Sequence, residues 1–386
     1  MKIKLLVLTG IRSEYDLLYP LLKEVKNSED FELGIVVSGA HLTPLHNYSF
    51  QQVEKDGFKI VGKIDNLFYS NTASAKAKST GVLLQSLAEI LANFKPDYLV
   101  VLGDREEPVI GALAATYMDI PVIHIAGGDH TIPEHGDVDE QIRHATSKLS
   151  HIHLVMHEEH KQRLLKMGEE EWRVFVVGNG GIDRIRETKV LAKEELAKAI
   201  SNNINEDYAV VIYHPLSSEM AEASQNLKLI LDTLLELDLK IFIGNPNSDP
   251  GYENLLEVIQ TYSSNSNVYN YSNLDRELFV NLLRHSKLLI GNSSLGVLEA
   301  PYLRLSAINV GERQKGRICG NNIQFIAADS DELRASLEKV LLNSEINNNN
   351  KEEQLIYGDG NMAKKTISIL RNLPSKEQLL AKKNTY

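Results

Sequence analysis

The sequence predicts an α/β protein of two doubly wound, Rossmann-like domains facing a central cleft. Three observations predict it. Short β-branched runs alternate with helical patterns along the chain. The alternation breaks at Gly178-Asn179-Gly180-Gly181, where three glycines in four residues mark a hinge, and then restarts. Several strand runs end in glycine–polar turns, and folds of this class bind ligands outside the carboxyl ends of their strands.

Each element has its own signal. Lys4–Thr9 reads as the first strand, and Glu14–Lys26 as a helix with Leu17, Leu18, Leu21, Leu22 and Val25 on one face. Gly34–Val37 is a strand, and Ala73–Asn93 a long helix that Pro96 stops. Asp97–Leu102 and Pro121–Ile125 are strands on either side of the helix Glu106–Met118. The helix Asp139–Lys148, strand Ile152–Met156, helix Glu158–Met167 and strand Arg173–Val177 complete the first half. Strands restart at Tyr208–Tyr213, Leu239–Ile243, Leu288–Ile290 and Ala307–Val310. Asn347–Asn350 reads as a surface loop and Asn361–Asn372 as a last helix. These signals place a first domain over 1–180, a second over 181–365 and a helical tail over 366–386.

The 386 residues are comfortable for two domains, and 43% apolar with 24% charged residues is an ordinary globular composition. No apolar run approaches the roughly 18 residues of a membrane span. The opening Leu5–Leu8 run is soon followed by Gly10, Arg12 and Glu14, which favours a core strand over a signal peptide. Cys319 is the single cysteine, so no intramolecular disulfide forms, and a reducing, cytoplasmic compartment fits. A formal charge of −11 disfavours nucleic acid and directs attention to individual arginines.

Several positions carry chemistry. Thr9-Gly10-Ile11-Arg12-Ser13-Glu14 turns a strand into a helix, aiming backbone N–H groups and a guanidinium at the strand end. It is neither GxGxxG nor a P-loop. Asp104-Arg105 and Asp129 follow two strands, so both point toward the same crevice. Asp139 and Arg143 stand four apart on the next helix and share a face, with Glu140 and His144 between and beyond them; a surface salt bridge is the competing reading. Eight of twelve histidines lie between His124 and His160. His151, His153, His157 and His160 lack the spacing of a zinc site and have no cysteine nearby, so no metal is expected. In the second half, His214 ends a strand and Ser293-Ser294 open a helix, with Glu299 one turn in. Arg313, Lys315 and Arg317 follow another strand.

These residues, in order, resemble the hydrolysing UDP-N-acetylglucosamine 2-epimerases of sialic acid pathways. The segments that carry the resemblance run from Gly10–Tyr15 (GIRSEY) through Ser38–Leu42 (SGAHL), Leu102–Glu106 (LGDRE) and His124–Asp129 (HIAGGD) to Asp139–His153. Gly291–Pro301 and Gly311–Arg317 complete the set, so the likeness covers nearly the whole chain. It implies the glycosyltransferase-B architecture. It also implies that Arg12, His214, Ser293, Ser294 and Arg313 hold the nucleotide diphosphate, that Glu299 holds the ribose, and that Arg105 lines the same site. Asp104, Asp129 and Asp139 become the acid–base carboxylates, with His41, Arg143 and His144 beside them. The implied partners are a UDP-sugar and a second copy of the chain, with no nucleic acid, no membrane and no cofactor.

The implied reaction eliminates UDP from UDP-N-acetylglucosamine through a 2-acetamidoglucal, then adds water to give free N-acetylmannosamine. Two departures stand out: Asp129 replaces the family's usual glutamate, and Ala126 replaces a larger residue before the glycine pair. The second suggests a different sugar, such as the diacetamido UDP-sugar on the route to legionaminic acid. A glycosyltransferase, a UDP-retaining epimerase and a non-catalytic UDP-sugar sensor are the other readings. The strand-end carboxylates argue against the transferase and the sensor. The missing His-Val-Glu-Ala-Gly segment argues against the UDP-retaining epimerase.

Overall fold

The protein is described by a computed structural model covering residues 2–68, 72–131, 138–215, 221–246, 251–272, 274–342 and 354–386. It forms two compact units. The first combines Met1–His130, Val138–Arg184 and Gly358–Tyr386, and the second is formed mainly by Ile185–Tyr357.

The first unit is a seven-stranded parallel sheet. Its strands are β1 (Ile3–Thr9), β2 (Phe31–Ser38), β3 (Ile60–Ile64), β4 (Tyr98–Leu102), β5 (Val122–Ile125), β6 (Ile152–Val155) and β7 (Val174–Val176). Their spatial order is β3-β2-β1-β4-β5-β6-β7. The second unit is a six-stranded parallel sheet of β8 (Tyr208–Ile212), β9 (Lys240–Gly244), β10 (Val268–Tyr271), β11 (Leu288–Gly291), β12 (Ser306–Val310) and β13 (Ile323–Ile326). Its order, β10-β9-β8-β11-β12-β13, repeats that of the first six strands. In each sheet the order reverses beside the first strand, between β1 and β4 and between β8 and β11. Loops leaving such neighbouring strands run to opposite faces and open a crevice at their carboxyl ends.

Strand alternation covers both faces of the first sheet. Leu5, Val7, Ile35, Val37, Val100 and Leu102 enter one apolar cluster, and Leu6, Leu8, Val36, Leu99 and Val101 enter another. Near-continuous apolar strands follow from burial on both sides. This explains why the central strands were readable. The structure adds three strands that the sequence reading does not contain: β3, β10 and β13. Each lies at a sheet edge. Their burial is partial, and IVGKI, VYNY and IQFI each carry a polar or flexible residue in mid-strand. An edge strand needs little apolar patterning, because one side of it is unpaired.

Gly178 takes φ +96°, and the helix Gly180–Glu187 starts within the glycine run. The last segment joins the first unit from Gly358 onward rather than beginning as a tail at 366. Asp183 explains the return, because its carboxylate accepts the N–H groups of Met362 (3.0 Å) and Ala363 (2.9 Å) at the start of the helix Met362–Arg371. That helix buries Met362, Ala363, Ile367 and Leu370 in the cluster that holds Leu18 and Leu21. Further along, Lys382 Nζ donates to Ser147 O, Lys148 O and Ser150 O and reaches Glu169 at 2.7 Å. Arg173 donates to Leu379 O. This strap therefore caps the carboxyl end of the helix Asp139–Leu149. The asparagine run Asn347–Asn350 lies outside the described residues. Among those described, no helix is long and apolar enough to cross a membrane.

Candidate active site

Adjacent strands deliver the polar residues of the first unit to one sheet edge. β1 ends at Thr9-Gly10, β4 at Leu102, and β5 at Ile125, with β1 paired to β4 and β4 to β5. Arg12, Asp104, Arg105 and Asp129 therefore leave from neighbouring carboxyl ends, as expected. At the centre is Arg143, whose side chain is 1% exposed. It donates to the carboxylates of Asp104 and Glu140 and, at 3.3 Å, to the backbone carbonyl of Asp129. Burial works against its charge, but Asp104, Asp129 and Glu140 outweigh that cost and hold its pKa above the ordinary arginine value.

The face-sharing carboxylate of this helix differs from the expectation in one respect. Glu140, three residues before Arg143, is the buried partner, while Asp139 stands exposed at the first helical position. Glu140 Oε1 also lies 3.0 Å from His130 Nδ1 and 3.3 Å from His144 Nε2. His144 is exposed, so it sits at the rim. Asp129 is buried; its Oδ1 accepts the His130 N–H at 2.8 Å and lies 3.4 Å from His160 Nε2.

A second carboxyl cluster lies beneath the Gly10 turn. Glu14 Oε2 accepts the Gly10 N–H at 2.8 Å and the Thr9 hydroxyl at 3.3 Å. Glu107, on the first turn of the helix Glu106–Tyr117, packs so closely on Gly10 that a Cβ there would stand 1.9 Å from its Oε1. Only glycine fits. Burial pushes Glu14 up to about 7, against the pull of Arg105 and the Gly10 N–H. Burial, Glu106 and Glu14 push Glu107 up to about 8, against Arg105, whose Nε lies 3.7 Å from Glu107 Oε2. His41 is fully buried, with Nε2 3.2 Å from Thr9 Oγ1 and Nδ1 2.9 Å from Ser49 Oγ. Burial holds it down to about 4, so it is a neutral brace under the turn, with both ring nitrogens engaged.

The remaining histidines are dispersed in role. His124 bridges Gly103 O (2.8 Å) and Ser147 Oγ (3.2 Å). His151 Nδ1 accepts from Val122 N, His153 lies 2.9 Å from Glu169, and His157 caps its helix by accepting from Glu159 N. Among the described residues, no group of three His, Cys, Asp or Glu side chains is placed to hold a metal ion.

Arg12 shares Asp16 with Arg184, at 3.6 and 3.9 Å.

The second unit is built differently. Asn292 follows β11 and staples the end of β8, accepting the His214 N–H (2.7 Å) and donating to His214 O (2.8 Å). Gly291 permits this at φ +138°, where a Cβ would stand 2.0 Å from Ile212 O. The carbonyl of Asn292 in turn accepts Arg313 Nη1 (3.4 Å) and Gln314 Nε2 (3.1 Å). Burial and the nearby Arg313 hold His214 down to about 3, so its imidazole is neutral. His214, Ser293 and Arg313 thus leave from the ends of β8, β11 and β12, which are neighbours. The helix after Ser293-Ser294 is only the four residues Leu295–Leu298. Glu299 follows it, buried at 6% exposure, and Pro301 enters the next short helix. So short a helix has little dipole, and an anion there would rely on individual N–H groups and Arg313.

Sequence reading missed Glu14, Glu107, His124, Asn292 and Gln314. Glu14 and Glu107 carried a signal, an acidic residue in the first turn of a helix that follows a strand. Nothing local distinguishes that from an ordinary helix start. Asn292 lay beside the two serines and was overshadowed by their hydroxyls.

With this geometry in view, known proteins are informative. The family model described as UDP-N-acetylglucosamine 2-epimerase matches residues 23–371. A UDP-N,N'-diacetylbacillosamine 2-epimerase (hydrolyzing) of Legionella pneumophila is 34% identical over 99% of this chain and 99% of its own. A UDP-N-acetylglucosamine 2-epimerase of Neisseria meningitidis is 30% identical over 83% of this chain and 82% of its own. The crystal structure of the Methanocaldococcus jannaschii UDP-GlcNAc 2-epimerase in complex with UDP-GlcNAc and UDP shares the fold, with a TM-score of 0.76. It is 21% identical, covering 96% of this chain and 99% of that one.

Proposed function

We propose, for a chain that belongs to the UDP-N-acetylglucosamine 2-epimerase family, that it cleaves a UDP-linked 2-acetamido sugar into UDP and the free sugar inverted at C2. The observation that supports this most is the buried Arg143 with Asp104 and Glu140 on its guanidinium, at the ends of β4 and β5. Acid–base chemistry needs carboxylates held in fixed orientation, and a buried arginine fork supplies that.

In this reading the reaction has two stages. A carboxylate takes the C2 proton while the C1–O bond breaks. The C2–H electron pair becomes the C1=C2 bond of a 2-acetamidoglucal, and UDP leaves with the C1–O pair. Water then returns a hydroxyl to C1 and a proton to the opposite face of C2. Asp104, partly exposed and oriented by Arg143, serves as base. Asp139, exposed at its helix start, passes protons to and from water. Asp129 keeps a supporting role through His130 and His160. Arg12, Arg105, His214, Ser293, Ser294 and Arg313 hold the diphosphate, and Glu299 the ribose. Charge growing on the leaving diphosphate is what those cations and N–H groups stabilise.

The greater identity and full-length match to the Legionella enzyme favour UDP-N,N'-diacetylbacillosamine as substrate. UDP-N-acetylglucosamine is the second reading, supported by the Neisseria relative. We further propose that the chain forms a homodimer, checked by sedimentation, and acts in the cytoplasm. The decisive experiment is NMR of each nucleotide sugar in heavy water. Free 2-epimer carrying deuterium at C2, formed in step with UDP, is expected. A product without C2 deuterium, or an epimer still bearing UDP, would falsify the reading.

A further inference from the structure

The reaction above makes no use of Glu14 and Glu107, which are 7% and 2% exposed. Both lie against Gly10, the first by accepting its N–H and the second by packing on its Cα. Each keeps one buried carboxyl oxygen, Glu14 Oε1 and Glu107 Oε2, that accepts no hydrogen bond among the described residues, Arg105 Nε approaching the latter only to 3.7 Å. Each also sits in the first turn of a helix whose N-terminal end faces the strand ends, Arg12–Asn27 for Glu14 and Glu106–Tyr117 for Glu107. An ionised carboxylate only accepts hydrogen bonds, whereas a protonated one donates. A proton on the pair therefore gives a role to an oxygen that accepts no hydrogen bond and avoids two like charges in one dry pocket. It also leaves the positive helix ends uncancelled, and these are what an anion uses.

We propose that Glu14 and Glu107 form one proton-sharing pair beneath the Gly10 turn, and that losing the shared proton weakens diphosphate binding at Arg12 and Arg105. The inference rests on the diphosphate roles given to those arginines above. Other groups bear on the pair from every side. Asp104, Arg105 and Glu106 face it from the corner after β4, Thr9 and Gly10 from β1, and His41, neutral, from behind Thr9. With the proton gone, the added charge draws on Arg105, already 3.7 Å from Glu107, and opposes the incoming phosphates. The two carboxyls, raised to about 7 and about 8, place this loss just above neutrality. A terminal phosphate titrates near ~6, so the ligand's own charge is complete by then.

Two measurements test the pair. In the first, UDP affinity is followed by calorimetry from about pH 6.5 to about pH 9 in the wild type, Glu107→Gln and Glu14→Gln. The wild type is expected to lose roughly tenfold, the limit for one linked proton per pKa unit. Each variant is expected to lose much less. An equal fall in all three proteins, or a flat wild type, overturns the proposal. The second measurement needs no variant. Carbon NMR of protein labelled at glutamate carboxyls should show two groups titrating above about pH 6, and finding every glutamate titrating near its ordinary value of about 4.3 overturns the proposal. Absence of UDP binding at any pH would defeat the functional reading, and the NMR titration would still decide the pair.

Discussion

The same strand order carries opposite chemistry in the two units. After β1 the first unit places Arg12, and after the corresponding β8 the second places a neutral His214. After β4 comes Asp104, and after β11 the amide of Asn292 with two serines. After β5 comes Asp129, and after β12 Arg313. The first unit buries Glu14, Glu107, Glu140 and Arg143 around these positions, and the second buries Asn292, Gln314 and Glu299. Buried ions are costly unless paired, so a fold retains them where protons must move or charge must be steered. Amides fixed to the backbone are cheaper and suit a site that only has to hold an anion. In the function proposed here, the acid–base carboxylates all belong to the first unit, both units grip the diphosphate, and the second contributes binding groups alone.

Substitution of the strand-end carboxylates probes this division most severely. Asp104→Asn and Asp139→Asn should lower turnover by roughly 10²–10⁴-fold while UDP affinity by calorimetry stays within a few fold. If either variant turns over normally, the first unit's carboxylates are structural and the comparison collapses. The reverse experiment is milder. Arg313→Ala removes a charge-assisted contact from the second unit and should weaken UDP binding by about 1.5–3 kcal/mol, with thermal stability unchanged. Unaltered affinity would remove the second unit's claim to the diphosphate.

Acid should separate the units in a quieter way. Burial holds His124 down to about 3 and His41 and His151 down to about 4, and it lowers His153 as well, all in the first unit; in the second, His214 is at about 3. A histidine kept neutral in the fold binds its proton only on unfolding. Its contribution is therefore present above its unfolded pKa of about 6.5 and is lost as pH falls through that value toward the folded one. Hydrogen exchange corrected for intrinsic rates should show the core of the first unit losing protection before that of the second between about pH 6.5 and about pH 5. Simultaneous loss would contradict the assignment of the buried histidines.

How far the fold was legible follows from burial. β1, β4, β8 and β11 announce themselves because both faces are apolar, whereas β3, β10 and β13 are edge strands whose sequences could pass for loops. The placement of the candidate residues was legible wherever a charged residue stood directly after a strand, as at Arg12, Asp104, Asp129 and Arg313. It was illegible where function depends on depth. Asp139 and Glu140 are adjacent acids on one helix turn, and only the packed structure shows that Glu140 faces Arg143 while Asp139 faces out. His41 likewise reads as a candidate beside the sugar, and only the packed structure shows both of its ring nitrogens engaged beneath the turn.

The strap from Gly358 to Tyr386 bears on how the molecule is made. A ribosome delivers Asp183 long before Met362, and Ser147 long before Lys382. Until the strap emerges, the nascent first unit has neither the apolar cover that Met362, Ile367 and Leu370 give Leu18 and Leu21 nor the cap on the helix carrying Arg143. Nearly the whole second unit is translated in that interval. It can complete its core first, reversing the usual amino-to-carboxyl order of domain folding. The growing chain meanwhile holds an unfinished hydrophobic face that is open to chaperones.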